Sequence, residues 1–146
     1  MGKSSNDGRF IFALATFVYV FNRDRSKILL IKRNEEKRKK YGFDWGIIGG
    51  KVEPGELLAE AVIREVKEET GLTFKEKELK FLHFEEFNKF ENPAIFFYYA
   101  ATADEDAKIT LNDESDGFEW FPVNRLPDKM LDQDRIARVL KTLRKQ

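Results

Sequence analysis

Five charged residues crowd one short stretch of this chain: Glu56, Arg64, Glu65, Glu68 and Glu69, with Gly50 before them and Gly71 after. The stretch reads GKVEPGELLAEAVIREVKEETGL from Gly50 to Leu72, and its apolar spacing predicts a helix over 57–70. Glu65, Glu68 and Glu69 then stand at i, i+3 and i+4 and project from one helical face. Like charges at that spacing repel, at about 0.2–0.5 kcal/mol per pair in an isolated helix. A chain that accepts this cost points to a cation held there. Clustered hard oxygen ligands suit Mg²⁺, or else Mn²⁺.

The acids need a rigid support. Ala59, Val62, Ile63 and Val66 form a stripe at the helical period and are expected to face a sheet. The acidic stripe lies less than half a turn away, so it should line the edge of that buried interface. Gly71 is placed to cap the helix at its C-terminus. Before the helix, residues 9–22 and 27–33 read as strands joined by a hairpin loop at Asn22–Ser26. Glu35 to Lys40 is a run of charge. It reads as a solvated loop, or as a source of cations for substrate phosphates. Asp44 to Ile48 reads as a short strand ending in a tight turn at Gly49–Gly50, where glycine would let backbone approach an ion. After the helix, strands are expected over 79–90, 94–102 and 118–123, with acidic loop at 103–117 and a turn region at 124–130. A terminal helix over 131–145 has Ile136, Val139, Leu140 and Leu143 as its apolar face. Residues 1–8 read as a flexible N-terminus and 9–146 as one domain. This order fits an α/β fold of the α+β kind, a mixed sheet between helices.

Bulk properties exclude several classes. The 146 residues carry 26 basic and 26 acidic side chains, so there is no basic excess for a nucleic-acid polymer. With no cysteine, disulfides, thiolate zinc sites and cysteine nucleophiles are excluded, and one histidine, His83, rules out a multi-histidine metal site. His83 sits among alternating large residues and reads as structural. Most of the 14 phenylalanines read as core, with Phe96-Phe97-Tyr98-Tyr99 in one buried strand. Trp45 and Trp120 read as packing residues beside the acids. No run is long enough to span a bilayer, and the apolar stretch from Phe10 to Phe21 reads as a strand, not a signal peptide. Met1-Gly2 begins like a myristoylation site, but Asn6 stands where Ser or Thr is needed. A cytoplasmic enzyme is the default.

The acidic segment resembles the Nudix box. That pattern is Gly, five residues, Glu, seven residues, Arg-Glu, an aliphatic, any residue, Glu-Glu, any residue, Gly, an aliphatic. Gly50, Glu56, Arg64, Glu65, Val66, Glu68, Glu69, Gly71 and Leu72 match it without a gap. Gly, Glu and Arg each occur at about 5–8% in ordinary composition, so chance is a poor account of the match. The box covers 23 of 146 residues.

The resemblance implies an α/β/α sandwich and a Mg²⁺-dependent hydrolase acting on a nucleoside diphosphate linked to a group X. It implies Glu65, Glu68 and Glu69 as metal ligands, with the Gly49 carbonyl as a further one. Glu65 would act as, or orient, the general base. Arg64 is expected to point away from the acid stripe, with Glu60 and Glu68 at i−4 and i+4, and to hold glutamates by hydrogen bonds. Gly50 and Glu56 are supporting residues. In MutT-like members a late-loop glutamate before a Trp-containing strand joins the metal. Glu114, six residues before Trp120, fits that place, and Asp113, Asp116 and Glu119 are alternatives.

Substrate choice lies outside the box. The absent cysteine disfavours isopentenyl-diphosphate isomerase chemistry. The proline typical of ADP-ribose hydrolases is replaced by Phe87 and Asn88, and the tyrosine typical of dinucleoside polyphosphate hydrolases by Lys89 and Phe90. Length and element order look like MutT, so a nucleoside triphosphate, oxidised or not, is the first expectation. ADP-ribose or another sugar nucleotide is the second. Arg33 and Asp132 are the substrate-binding candidates, Asp132 standing where the bacterial pattern has Asn. A nucleotide sensor without catalysis is the alternative of another class, and would call for a partner domain. Family members often dimerise, so a homodimer is one assembly the resemblance implies.

Overall fold

The computed structural model describes residues 12–88, 93–130 and 133–145. The N-terminal segment 1–8 and Asp132 lie outside the described residues. Among the described residues, seven strands and three α-helices follow in the order β1 (Ala13–Phe21), β2 (Lys27–Arg33), α1 (Glu35–Tyr41), β3 (Trp45–Gly46), β4 (Ile48–Lys51), α2 (Leu58–Thr70), β5 (Lys80–Phe87), β6 (Ala94–Thr102), β7 (Ser115–Pro122) and α3 (Gln133–Arg144), with one 3-10 turn at Glu76–Glu78 before β5. The strands form one mixed sheet. β1 and β6 run parallel through nine paired positions, and every other pairing is antiparallel.

Alternation along β1 divides the core into two layers. Val18 and Val20 face α2 and pack with Ile48, Val62, Val66 and Tyr99. Tyr19 and Phe21 face α3 and pack with Tyr98, Ile136, Val139, Leu140 and Leu143. All four apolar residues expected on the terminal helix are buried. The result is the expected α/β/α sandwich. β1 and β6, buried on both faces, are the frame against which α2 is fixed.

Three local expectations need correction. The charge run is a helix, not a loop. Asn34 caps α1 by accepting the Lys37 N–H at 2.9 Å, and Gly42 closes it in a left-handed conformation with φ 81°. Glu35 and Glu36 lie in the first turn and Arg38, Lys39 and Lys40 in the last, so the charges complement the helix dipole. α1 buries no residue, and its caps and charges substitute for an apolar face.

Second, α2 is rolled relative to its expected stripe. Ala61, Val62, Val66 and Thr70 are buried, whereas Ala59 and Ile63 are half-buried. The roll brings the side of the helix that carries Glu65 and Glu69 against β4. Third, Gly49 and Gly50 do not form a turn. They are strand residues, paired with Phe17 and Thr16 of β1. A Cβ on Gly49 would lie 2.3 Å from the Thr16 carbonyl oxygen. Close backbone approach, not turning, requires glycine there. Gly71 does cap α2 as expected, with φ 80°.

Candidate functional site

Leu57 to Thr70 positions the acids. The Glu60 carboxylate accepts the Leu57 N–H at 2.8 Å and starts the helix. Glu60 is therefore spent on a cap and does not meet Arg64. Arg64 does not point away from the acids either. Its Nε and Nη2 hold Glu56 in a fork at 2.6 and 3.0 Å. Its Nη1 donates to Glu65 at 2.9 Å and reaches Glu68 at 3.3 Å. Nη2 also donates to the Lys51 carbonyl at 2.9 Å. A long side chain can bend back over its own helix, and three carboxylates on one side make that the favourable course. The fork holds Glu56 below the usual carboxylate range.

Glu69 is the most perturbed group. Desolvation, followed by its hydrogen bond and repulsion with Glu65, pushes its carboxyl up to about 9. The Gly49 N–H, donating at 3.3 Å, and the nearby Glu114 charge act on it in opposite directions. Glu65 lies close against the β4 backbone. A Cβ on Gly50 would lie 2.4 Å from its Oε1. Glycine at 50 is thus what lets the Glu65 carboxyl sit against bare backbone, while glycine at 49 makes room for β1.

Glu69 opens onto a cleft of about 210 Å³. Gly49, Phe17 and Ile47 line it beside Glu69, and Arg33, Lys37, Tyr41 and Glu114 line it too. Arg33 lies over the Tyr41 ring at 5.3 Å. Glu114 reaches the cleft, while Asp116 is taken by Arg38 at 2.8 Å and Asp113 and Glu119 line no part of it. Among the described residues no three acidic, histidine or cysteine side chains are pre-assembled around one point. Arg64 draws Glu65 and Glu68 to itself, and Glu114 is held by Lys37 at 2.8 Å. The donors are nonetheless all hard oxygens, and the half-buried Glu65–Glu69 contact is one in which a divalent cation would take the place of the proton that Glu69 keeps.

The residues read as packing or structural do pack. Trp45 packs edge-on against Phe121 at 4.8 Å, and Trp120 joins the α2-side core. His83 stacks on Tyr98 at 4.9 Å, away from the cleft. Tyr41 went unremarked in the sequence. Its only signal was an aromatic residue closing a charged run before a glycine.

A family model described as NUDIX domain matches residues 12–143, nearly the whole chain. The chain belongs to the Nudix family. An ADP-ribose pyrophosphatase from Methanocaldococcus jannaschii is 33% identical over 113 residues, 77% of this chain and 64% of that protein. A putative 8-oxo-dGTP diphosphatase from Bacillus subtilis is 29% identical, over 80% of this chain and 71% of its own length. The crystal structure of a MutT protein from Methanosarcina mazei superposes with a TM-score of 0.68 at 26% identity, covering 91% of this chain and 96% of that one. The chain spans only 26–64% of the length of three of the curated relatives it matches. Among the described residues no helix is long and apolar enough to cross a membrane.

Proposed function

We propose that this Nudix domain is a pyrophosphohydrolase that cleaves a nucleoside triphosphate, oxidised or not, to a monophosphate and pyrophosphate with Mg²⁺, or Mn²⁺ in its place. The single observation that carries this is the cleft itself, lined by Glu69, which is hydrogen-bonded to Glu65 behind it, together with Glu114, Arg33 and Lys37. Glu65, Glu68 and Glu69 would hold the ion, joined by Glu114 and the Gly49 carbonyl. Such an ion supplies charge neutralisation at the phosphates and lowers the pKa of bound water. Glu65 takes the proton of the attacking water. The water oxygen bonds to phosphorus as the P–O anhydride bond breaks, and the pyrophosphate leaves with the bonding pair. Arg64 and Glu56 keep Glu65 and Glu68 oriented. Arg33 holds phosphate, and Asp132 is assigned to the base. A cytoplasmic setting and free nucleotide as the partner, with neither nucleic-acid polymer nor membrane, go with this reading, as does a homodimer.

A second reading, a sugar-nucleotide pyrophosphatase, is favoured by the name of the Methanocaldococcus relative. Two cations in the cleft beside Glu69 and Glu114 speak for the more highly charged triphosphate. The intact box speaks against a sensor without catalysis. The deciding experiment measures pyrophosphate or phosphate release from dNTPs, oxidised dGTP, ADP-ribose, dinucleoside polyphosphates and sugar nucleotides, with Mg²⁺ or Mn²⁺. Triphosphate turnover that stops with EDTA and in Glu68→Gln is the expected result. Metal-dependent nucleotide binding without any turnover would establish a sensor instead.

Gly50→Ala provides a selective check. The three atoms nearest the new methyl all belong to the end of the Glu65 side chain, so the fold should tolerate it, with Tm changing by about 2 °C or less. Activity should fall about 10- to 100-fold as Glu65 is displaced. A variant as active as the parent would exclude any need for Glu65 in that position.

A further inference from the structure

We propose that Lys37 is a positioning residue for the substrate's phosphate chain, parked on Glu114 until a divalent cation claims that carboxylate. The inference rests on the Nudix reading above. Lys37 and Glu114 line the same cleft as Glu69 and Arg33, and the Lys37 Nζ lies 2.8 Å from Glu114 Oε1. Their side chains are 35% and 55% exposed, so water screens the pair and it holds only weakly. A doubly charged ion among Glu69 and Glu114 displaces such a partner readily.

The surroundings let the side chain move without the helix. Asn34 donates its N–H to the Glu114 carbonyl at 3.0 Å and its Nδ2 to the Asp113 carbonyl at 3.2 Å. Arg38 holds Asp116 at 2.8 Å and also donates to the Arg33 carbonyl. These ties fix the start of α1 to the loop that carries Glu114, whichever way the carboxylate turns. Lys37 has a flexible four-carbon stem, so its ammonium can swing while its backbone stays. Once released it adds a second cation to Arg33 in the cleft. Metal and nucleotide should therefore bind cooperatively, with Lys37 carrying part of the coupling.

The test uses the whole chain, Mn²⁺ alone followed by electron paramagnetic resonance, and α,β-methylene-dGTP followed by calorimetry. Lys37→Met should bind Mn²⁺ more tightly, by up to about fivefold, because an internal competitor is gone. It should bind the analogue on the order of tenfold more weakly with Mn²⁺ present, and as the parent does in EDTA. Arg38→Met removes one ion pair to the same loop outside the cleft but leaves both Asn34 ties in place, and should match the parent in both assays. Weaker Mn²⁺ binding in Lys37→Met would overturn the proposal, since Lys37 would then organise Glu114 for the metal. An equal loss of analogue affinity with and without Mn²⁺, or the same effect from Arg38→Met, would overturn it too. Mn²⁺ affinity unchanged by Glu69→Gln would remove the Nudix site reading itself, and this proposal with it.

Discussion

Exchanging Glu69 for Gln is expected to lower kcat/KM by about 10³-fold while making the metal-free protein more stable in alkali. The rate term follows from the proposed loss of an anionic ligand. A bound metal is worth several kcal/mol of charge stabilisation, and each 1.4 kcal/mol is about tenfold in rate. The stability term follows from the raised carboxyl. Glu69 folded keeps its proton up to about 9, against an ordinary value of 4.5. Between those two values the native state binds a proton that the unfolded chain has released. Stability must then fall as pH rises through that window. Gln cannot ionise, so the variant escapes the fall. Melting curves in EDTA between pH 5 and 9 should separate, with the parent losing Tm toward alkali relative to Glu69→Gln. Mg²⁺ should restore the parent and leave the variant unmoved, and its binding near neutrality should release protons to buffer. Parallel curves in EDTA would mean that Glu69 is already ionised in the fold and that the Glu65 contact costs nothing.

That prediction depends on features that were only partly legible in the sequence. The acids, their spacing and the terminal helix could be read directly, because a 3.6-residue period leaves a pattern in the chain. Ile136, Val139, Leu140 and Leu143 are buried as that pattern requires. α1 escaped because it has no buried face, although Asn34 and Gly42 marked both of its ends. Its caps carry more information than its interior. Gly49 and Gly50 misled for a different reason. Glycine signals a turn and a close approach equally, and only the Thr16 carbonyl across the ladder decides between them. The roll of α2 goes with Gly50, where the missing side chain leaves room at β4 for the polar Glu65 carboxyl. What the chain could not reveal is where long side chains end, and Arg64, Lys37 and Arg33 all end where tertiary neighbours place them.

Arg64 gives that point its sharpest consequence. Its guanidinium is 23% exposed and joins Glu56 and Glu65, themselves 13% and 15% exposed, to Glu68 and the Lys51 carbonyl. Arg64→Ala leaves two half-buried carboxylates and a carbonyl without their donor. Breaking a fully buried ion pair costs about 3–5 kcal/mol. With partial exposure about 2–3 kcal/mol is expected, a Tm lower by about 5–10 °C in a chain of this size. Activity should fall about 10- to 100-fold through the loosened Glu65 and Glu68. Arg64→Lys should recover little of either, because an ammonium cannot fork onto Glu56 while also reaching Glu65. The pH dependence separates this network from a packing defect. Glu56 is held below its ordinary value by Arg64, so its contribution is present above that ordinary value and is lost as pH falls through the folded one. The deficit of Arg64→Ala should therefore be full near neutral pH and shrink on acidification as the carboxylates protonate in both proteins. A deficit that persists unchanged into acid would assign the loss to the aliphatic stem of Arg64 packed on α2, and the ion network would then have no part in holding the acids in place.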